Sequence, residues 1–154
     1  INPKVQIDLW DGDPDIDAII RMIYRPRLNI ESKHFPYSSN ALIPFNSQNI
    51  HMHRDVIKDY FLFPDLGRNH DIFAAYYLTS IGHEVLINKS SVFSNRSLGT
   101  NGRYSEIHDI REEQYSIENV MNLVNDLKID SNNIKKYLSN KALKCFEIWK
   151  SYFK

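Results

Sequence analysis

The sequence holds a single cysteine, Cys145, so no disulfide can form within the chain. It also lacks an excess of charge of either sign. Lysine plus arginine and aspartate plus glutamate each total 19, and the formal net charge is zero. That balance argues against a dedicated nucleic-acid binder, which carries a basic stripe. It leaves an anionic small ligand open, because one arginine suffices for that. No apolar run reaches the roughly 18 residues of a membrane-spanning helix, so no membrane contact is expected within this segment. The chain opens on Ile1, with neither methionine nor a signal peptide, and reads as a piece of a longer protein.

What is present suits one globular domain. The length is 154 residues, and apolar and charged residues make up 42% and 25% of the chain, ordinary values for a domain with a real core. Nine tyrosines, eight phenylalanines and two tryptophans cluster near prolines and asparagines. Aromatics in loops stack sugars and bases, and equally they build cores. Cys145 sits among Lys144, Phe146 and Trp149 on an expected helix and reads as a buried structural thiol. Two glycosylation sequons, Asn88-Lys89-Ser90 and Asn95-Arg96-Ser97, are expected by chance in a chain this rich in asparagine, and either could be occupied if the parent protein is secretory.

Periodicity predicts a short strand from Val5 to Trp10, broken by the Asp11-Gly12-Asp13-Pro14-Asp15 turn. A helix is expected over residues 15–22, with Asp15 and Asp17 in its first turn, where the helix dipole favours acids. Residues 28–45 read as extended pieces punctuated by Pro36 and Pro44. Short helical character follows over 54–61. The segment Asp71–Ser80 is apolar nearly all round and predicts a well-buried helix ended by Gly82. A strand is expected over 83–88, and helix, glycine, strand is an α/β signature. Residues 96–104 predict a loop. Beyond Ser105 helical spacing dominates, with Ile117, Val120, Met121, Val124 and Leu127 on one face. The expected organisation is one domain or domain fragment over 1–154, α/β over 1–95 and helical over 105–154.

Three constellations could carry chemistry. Asp11, Asp13, Asp15 and Asp17 are spaced closely enough to need a compensating cation, magnesium or manganese being suitable. They serve equally as turn and helix-start residues. Gly67-Arg68-Asn69-His70-Asp71 opens the buried helix. A carboxylate there is stabilised by helix amides and is a sound general base, and Arg68 could pair with a phosphate. The structural alternative is a helix cap beside a solvated arginine and a surface histidine. His108-Asp109, with Arg96, Arg103, Arg111, Glu112 and Glu113 nearby, could close over a metal-diphosphate, or form a solvated helix start. His51 and His53 would share one strand face but lack an obvious third zinc ligand.

The block Trp10-Asp11-Gly12-Asp13-Pro14-Asp15-Ile16-Asp17-Ala18, with Arg21-Met22, resembles the STELLO-like glycosyltransferase family. So do Phe35–Asn49, Tyr60-Phe61-Leu62-Phe63-Pro64 with Gly67-Arg68 and Asp71–Tyr76, and Phe146–Phe153. That family is distantly related to the reversibly glycosylated polypeptides, the UDP-arabinopyranose mutases. The resemblance implies an α/β fold, the C-terminal, acceptor-side part of a GT-A-like nucleotide-sugar transferase domain followed by a helical segment. It implies metal-dependent transfer of a sugar from a nucleotide-diphosphate sugar to a hydroxyl acceptor, with Mn2+ or Mg2+ held mainly by an acidic pair upstream of Ile1. On that reading Asp71 or His70 is the catalytic base. Arg68, Arg96 and His108 face the donor diphosphate, His108 also touching metal. Trp10, Asp11, Asp13 and Tyr37 line the acceptor side, with Phe45 as a further stacking wall. His70 departs from the acidic residue expected before Asp71. Because the family is associated with organising other Golgi glycosyltransferases, the alternative is a non-catalytic scaffold module with such partners, and a Golgi lumen location follows if the parent is eukaryotic.

Overall fold

The computed structural model describes residues 3–16, 18–24, 26–95 and 102–153. It is a mixed α/β fold built on a small open sheet of four strands in the order β2-β4-β1-β3. Strand β1 (Val5–Gly12) runs parallel to β4 (Val85–Ser94) and antiparallel to β3 (Ile50–Met52). Strand β2 (Tyr37–Ser39) pairs antiparallel with the first part of β4. The helices are α1 (Ala18–Ile23), α2 (Arg54–Ile57), α3 (His70–Ser80), α4 (Gly102–Ile129) and α5 (Asn140–Ser151).

Helix α3 is the centre of the molecule. Ala75 and Leu78 bury against the sheet with Val5, Ile7, Val56 and Val85. Phe73, Ala74 and Tyr77 bury on its other side against Leu123, Leu127, Ile134 and Phe146. A helix with cores on two faces must be apolar nearly all round, which is what its sequence shows. The helical side is mainly aromatic. Phe63 meets Tyr77 and Phe146 edge-on, with ring centroids 6.4 and 5.3 Å apart. Such pairs add roughly 0.5–1.5 kcal/mol each beyond the area they bury.

Helix α5 is latched as well as packed. Ser139 caps it by accepting the Ala142 N–H. The Trp149 indole N–H donates to the Ile57 carbonyl at 3.2 Å. Lys150 lies 3.7 Å from the Asp59 carboxylate, which His83 also meets at 3.1 Å. The Asp59 side chain is only 12% exposed, so these partners offset its desolvation.

Several local expectations change. Helix α1 starts at Ala18, so Asp15 lies before it rather than in its first turn; its carboxylate binds side chains of a neighbouring loop instead. Strand β4 starts at Val85 and continues to Ser94, six residues past the expected end. Its second half, with Lys89, Ser90 and Ser91 followed by adjacent Val92 and Phe93, has no apolar alternation to betray it, yet it pairs with Trp10–Gly12. Helix α2 stops at Ile57, and residues 102–104, expected as loop, are helical backbone. Cys145 is half-buried rather than enclosed.

Candidate functional site

The parallel pair β1 and β4 ends in an irregularity. Asp8 pairs with Asn88 and Trp10 with Val92, so Leu9 alone stands opposite Lys89, Ser90 and Ser91. This bulge re-aims the carboxyl-terminal half of β4, and bulges of this kind favour functional edges. Ligands of open α/β sheets gather at the carboxyl ends of parallel strands. Beyond the bulge, Gly12 adopts φ +90, and a Cβ there would lie 2.2 Å from the Ser94 carbonyl oxygen. No other residue type fits, which accounts for the glycine inside the acidic block.

The loop Asn46-Ser47-Gln48-Asn49 links this edge to α3. Asn46 and Gln48 each donate a side-chain N–H to Asp15 Oδ2, both at 3.3 Å. Ser47 donates to Asp71 Oδ2 from its backbone N–H at 3.1 Å and from its hydroxyl at 3.4 Å. Asn49 donates to the Ser91 hydroxyl at 3.0 Å and to the Leu9 carbonyl at 3.5 Å, and so spans the bulge. Side chains therefore alternate along the loop between two carboxylates, and its end is pinned to the sheet.

Asp71 occupies the first turn of α3, not the cap position, where Asn69 stands. Its Oδ1 accepts the Ile72 N–H at 2.9 Å. The three described donors to this carboxylate are neutral, and the helix amides favour its charge. His70 sits beside it, with Nδ1 at 2.7 Å from the Gly67 carbonyl. A carbonyl only accepts, so Nδ1 carries the proton, and in the neutral ring Nε2 keeps the lone pair a base needs.

Tyr60 belongs to the same region, and its role was not legible in the sequence. Its ring stacks on Phe45 at 5.8 Å, and its hydroxyl is buried with no hydrogen-bond partner among the described residues. Burial, reinforced by the Asp71 charge, pushes its pKa well above the ordinary tyrosine value. The phenol is therefore neutral across the physiological range.

The other expected site residues are spread out. Asp11 Oδ1 accepts the Ile30 N–H at 2.7 Å, and Asp13 lies 3.8 Å from the Arg27 guanidinium, so both have local structural partners. Trp10 donates its indole N–H to the Asp13 carbonyl at 3.1 Å. Tyr37 is exposed on β2 opposite Ile87, itself opposite Ile7 of β1, so it stands two strands across and three residues along from Trp10, roughly 14 Å away at ordinary strand spacing and rise. Phe45 is 6% exposed and part of the sheet-side core, so it cannot be a stacking wall. His53 caps α2 by accepting the Asp55 N–H, beyond the end of β3, and shares no strand face with His51. Arg96 and Asp17, and the side chains of Arg68, His108, Arg103, Asp109, Glu112 and Glu113, lie outside the described residues. Among the described residues no group of three or more His, Cys, Asp or Glu side chains could hold a metal ion. Asn88 of the first sequon lies in β4, with its amide donated to Asp8 Oδ1 at 2.8 Å.

No protein-family model matches the chain, and no curated protein matches its sequence.

Proposed function

We propose that this chain is the acceptor-side part of a GT-A-like glycosyltransferase domain, and that Asp71 is its general base. The observation that carries the reading is the setting of Asp71, a partly exposed carboxylate held by neutral donors at the start of a rigid, doubly packed helix. Such a group is oriented yet keeps acceptor capacity for a substrate hydroxyl. The sequence blocks quoted above supply the reaction class. In the step, Asp71 takes the proton of an acceptor hydroxyl as that oxygen bonds to the anomeric carbon. The bond from that carbon to the nucleotide diphosphate breaks, and the diphosphate leaves with the electron pair. His70 Nε2 is the second candidate for the same proton. On this reading manganese or magnesium is held mainly by an acidic pair elsewhere in the parent protein, with His108 the candidate ligand from this chain.

The test is nucleotide release by the complete protein carrying this chain, with UDP- and GDP-sugars, with and without manganese, and with hydroxyl acceptors added. Acceptor-stimulated release of one nucleotide is expected. Release from none of the donors would overturn the reading.

A different observation favours the scaffold alternative. Ile19, Ile20, Ile23 and Tyr24 are 52%, 46%, 81% and 68% exposed along α1 and its end. A run of exposed large apolar groups suits a protein partner. Ile23→Asp would then abolish association with a partner glycosyltransferase while leaving nucleotide release unchanged.

A further inference from the structure

The bulge on β4 opens a groove of about 540 Å³, within the size range of small-molecule sites. We infer that this groove binds a neutral, polyhydroxylated ring, a pyranoside. One wall is apolar, made by Phe35 and Pro36. The Asp8–Asn88 pair lines the same groove, with Ser90 and Ser91. A pyranoside has the same mixed character, with C–H groups on one face and a belt of hydroxyls around its edge.

The polar lining offers the right groups. Asp8 Oδ1 is occupied by an Asn88 amide N–H at 2.8 Å. That bond fixes both side chains. It leaves Asp8 Oδ2, the Asn88 carbonyl oxygen and a second Asn88 N–H to offer to a ligand. Adjacent hydroxyls can donate to the carboxylate and accept from the amide at once, which is a charge-assisted arrangement. The charge pattern disfavours other ligand classes. The Asp8 carboxylate repels anions, and Lys89 on the same rim disfavours cations. A neutral ligand rich in both donors and acceptors remains.

The groove adjoins the Asp71 loop through Asn49, which donates to Ser91. That the bound sugar is the acceptor rests on the transfer reading above. The binding itself does not.

The experiment is a titration of the complete protein, 15N-labelled in this chain, with methyl α-glucopyranoside, methyl β-galactopyranoside and methyl β-xylopyranoside, without nucleotide, and separately with inorganic phosphate. One glycoside is expected to shift the amide signals of Asn88, Ser90 and Ser91 with an affinity of roughly millimolar, as befits so few atoms. Asp8→Asn should weaken it about tenfold. Ser32→Arg, at an exposed position on the groove rim, should abolish it and decides the matter if Asp8→Asn fails to fold. No shift with any glycoside, shifts with phosphate instead, or shifts that survive Ser32→Arg would overturn the inference. Those failures leave nucleotide release untouched, so the groove and the transfer reading fail separately.

Discussion

Asp59, which follows α2, and Asp71, in the first turn of α3, meet opposite surroundings. Asp59 is buried and is met by two basic side chains, His83 at 3.1 Å and Lys150 at 3.7 Å. Lys150 in turn donates to the Tyr77 hydroxyl at 3.2 Å and lies 4.3 Å over the Phe146 ring. Lys150 ties α5 to the body through Asp59 and Tyr77, and His83 completes the pairing of the carboxylate. Asp71 instead meets neutral donors and stays partly exposed. On the proposed reading, the pair separates a structural carboxylate from a chemical one in this fold. Charge that is fully paired and enclosed holds elements together; charge that is oriented but not neutralised is available for reaction.

The largest effect expected on the Asp59 side comes from its aromatic floor. Phe146→Ala removes a 6% exposed ring that contacts Phe61, Phe63 and Tyr77 and underlies Lys150. Chemical denaturation should show a loss of roughly 3–5 kcal/mol. A loss under about 1 kcal/mol would mean that α5 is not part of the core. Next comes Asp59→Asn, which leaves Lys150 without its counter-charge. Because Lys150 is 37% exposed and can turn to water, the loss should be roughly 1–3 kcal/mol by the same measurement.

On the Asp71 side the expected sign reverses. Tyr60→Phe removes a buried hydroxyl with no partner and keeps the stacked ring. Stability should be unchanged or rise by up to about 1 kcal/mol. A clear loss would mean that the hydroxyl is satisfied in solution. The smallest effect concerns alkaline pH. Burial, and then the hydrogen bond to Asp126, push the Tyr137 pKa from 10.0 up to about 12. A raised tyrosine pKa favours the neutral form in the fold. The stability it confers is whole below pH 10.0 and is lost as pH climbs toward about 12. Tyr137→Phe should flatten that decline in denaturation midpoints.

The two regions also differ in how far the sequence announced them. Helix α3 was legible because a helix buried on two faces has an unmistakable composition, and Gly82 marked its end. The helical half was legible as helix from the spacing of Val120, Val124 and Leu127, but not its full buried face: Met121, expected on that face, is 64% exposed, and Leu123, not expected there, is fully buried, while the side chain of Ile117 lies outside the described residues. The Asp59 cluster was not, since its members are separated by 24 and 91 positions in the chain (59 against 83 and 150) and meet only through tertiary packing. In the candidate site, Asp71 stood out by its position at a helix start. The bulge did not, because Lys89-Ser90-Ser91 has no periodicity, and neither did the division of Asn46, Ser47 and Gln48 between Asp15 and Asp71. The close spelling of Asp11, Asp13 and Asp15 suggested one cluster. The backbone turn at Gly12 instead sends each carboxylate to a different partner.

The most direct measurement sets Asp71→Asn beside Asp59→Asn in the complete protein, reading denaturation midpoint and nucleotide release for both. The account predicts that Asp71→Asn keeps stability within about 1 kcal/mol of the parent and loses roughly 100- to 10,000-fold in acceptor-stimulated release. Asp59→Asn should lose stability and keep release at temperatures where it stays folded. Normal release by Asp71→Asn, or equal loss of release by both variants, would contradict it.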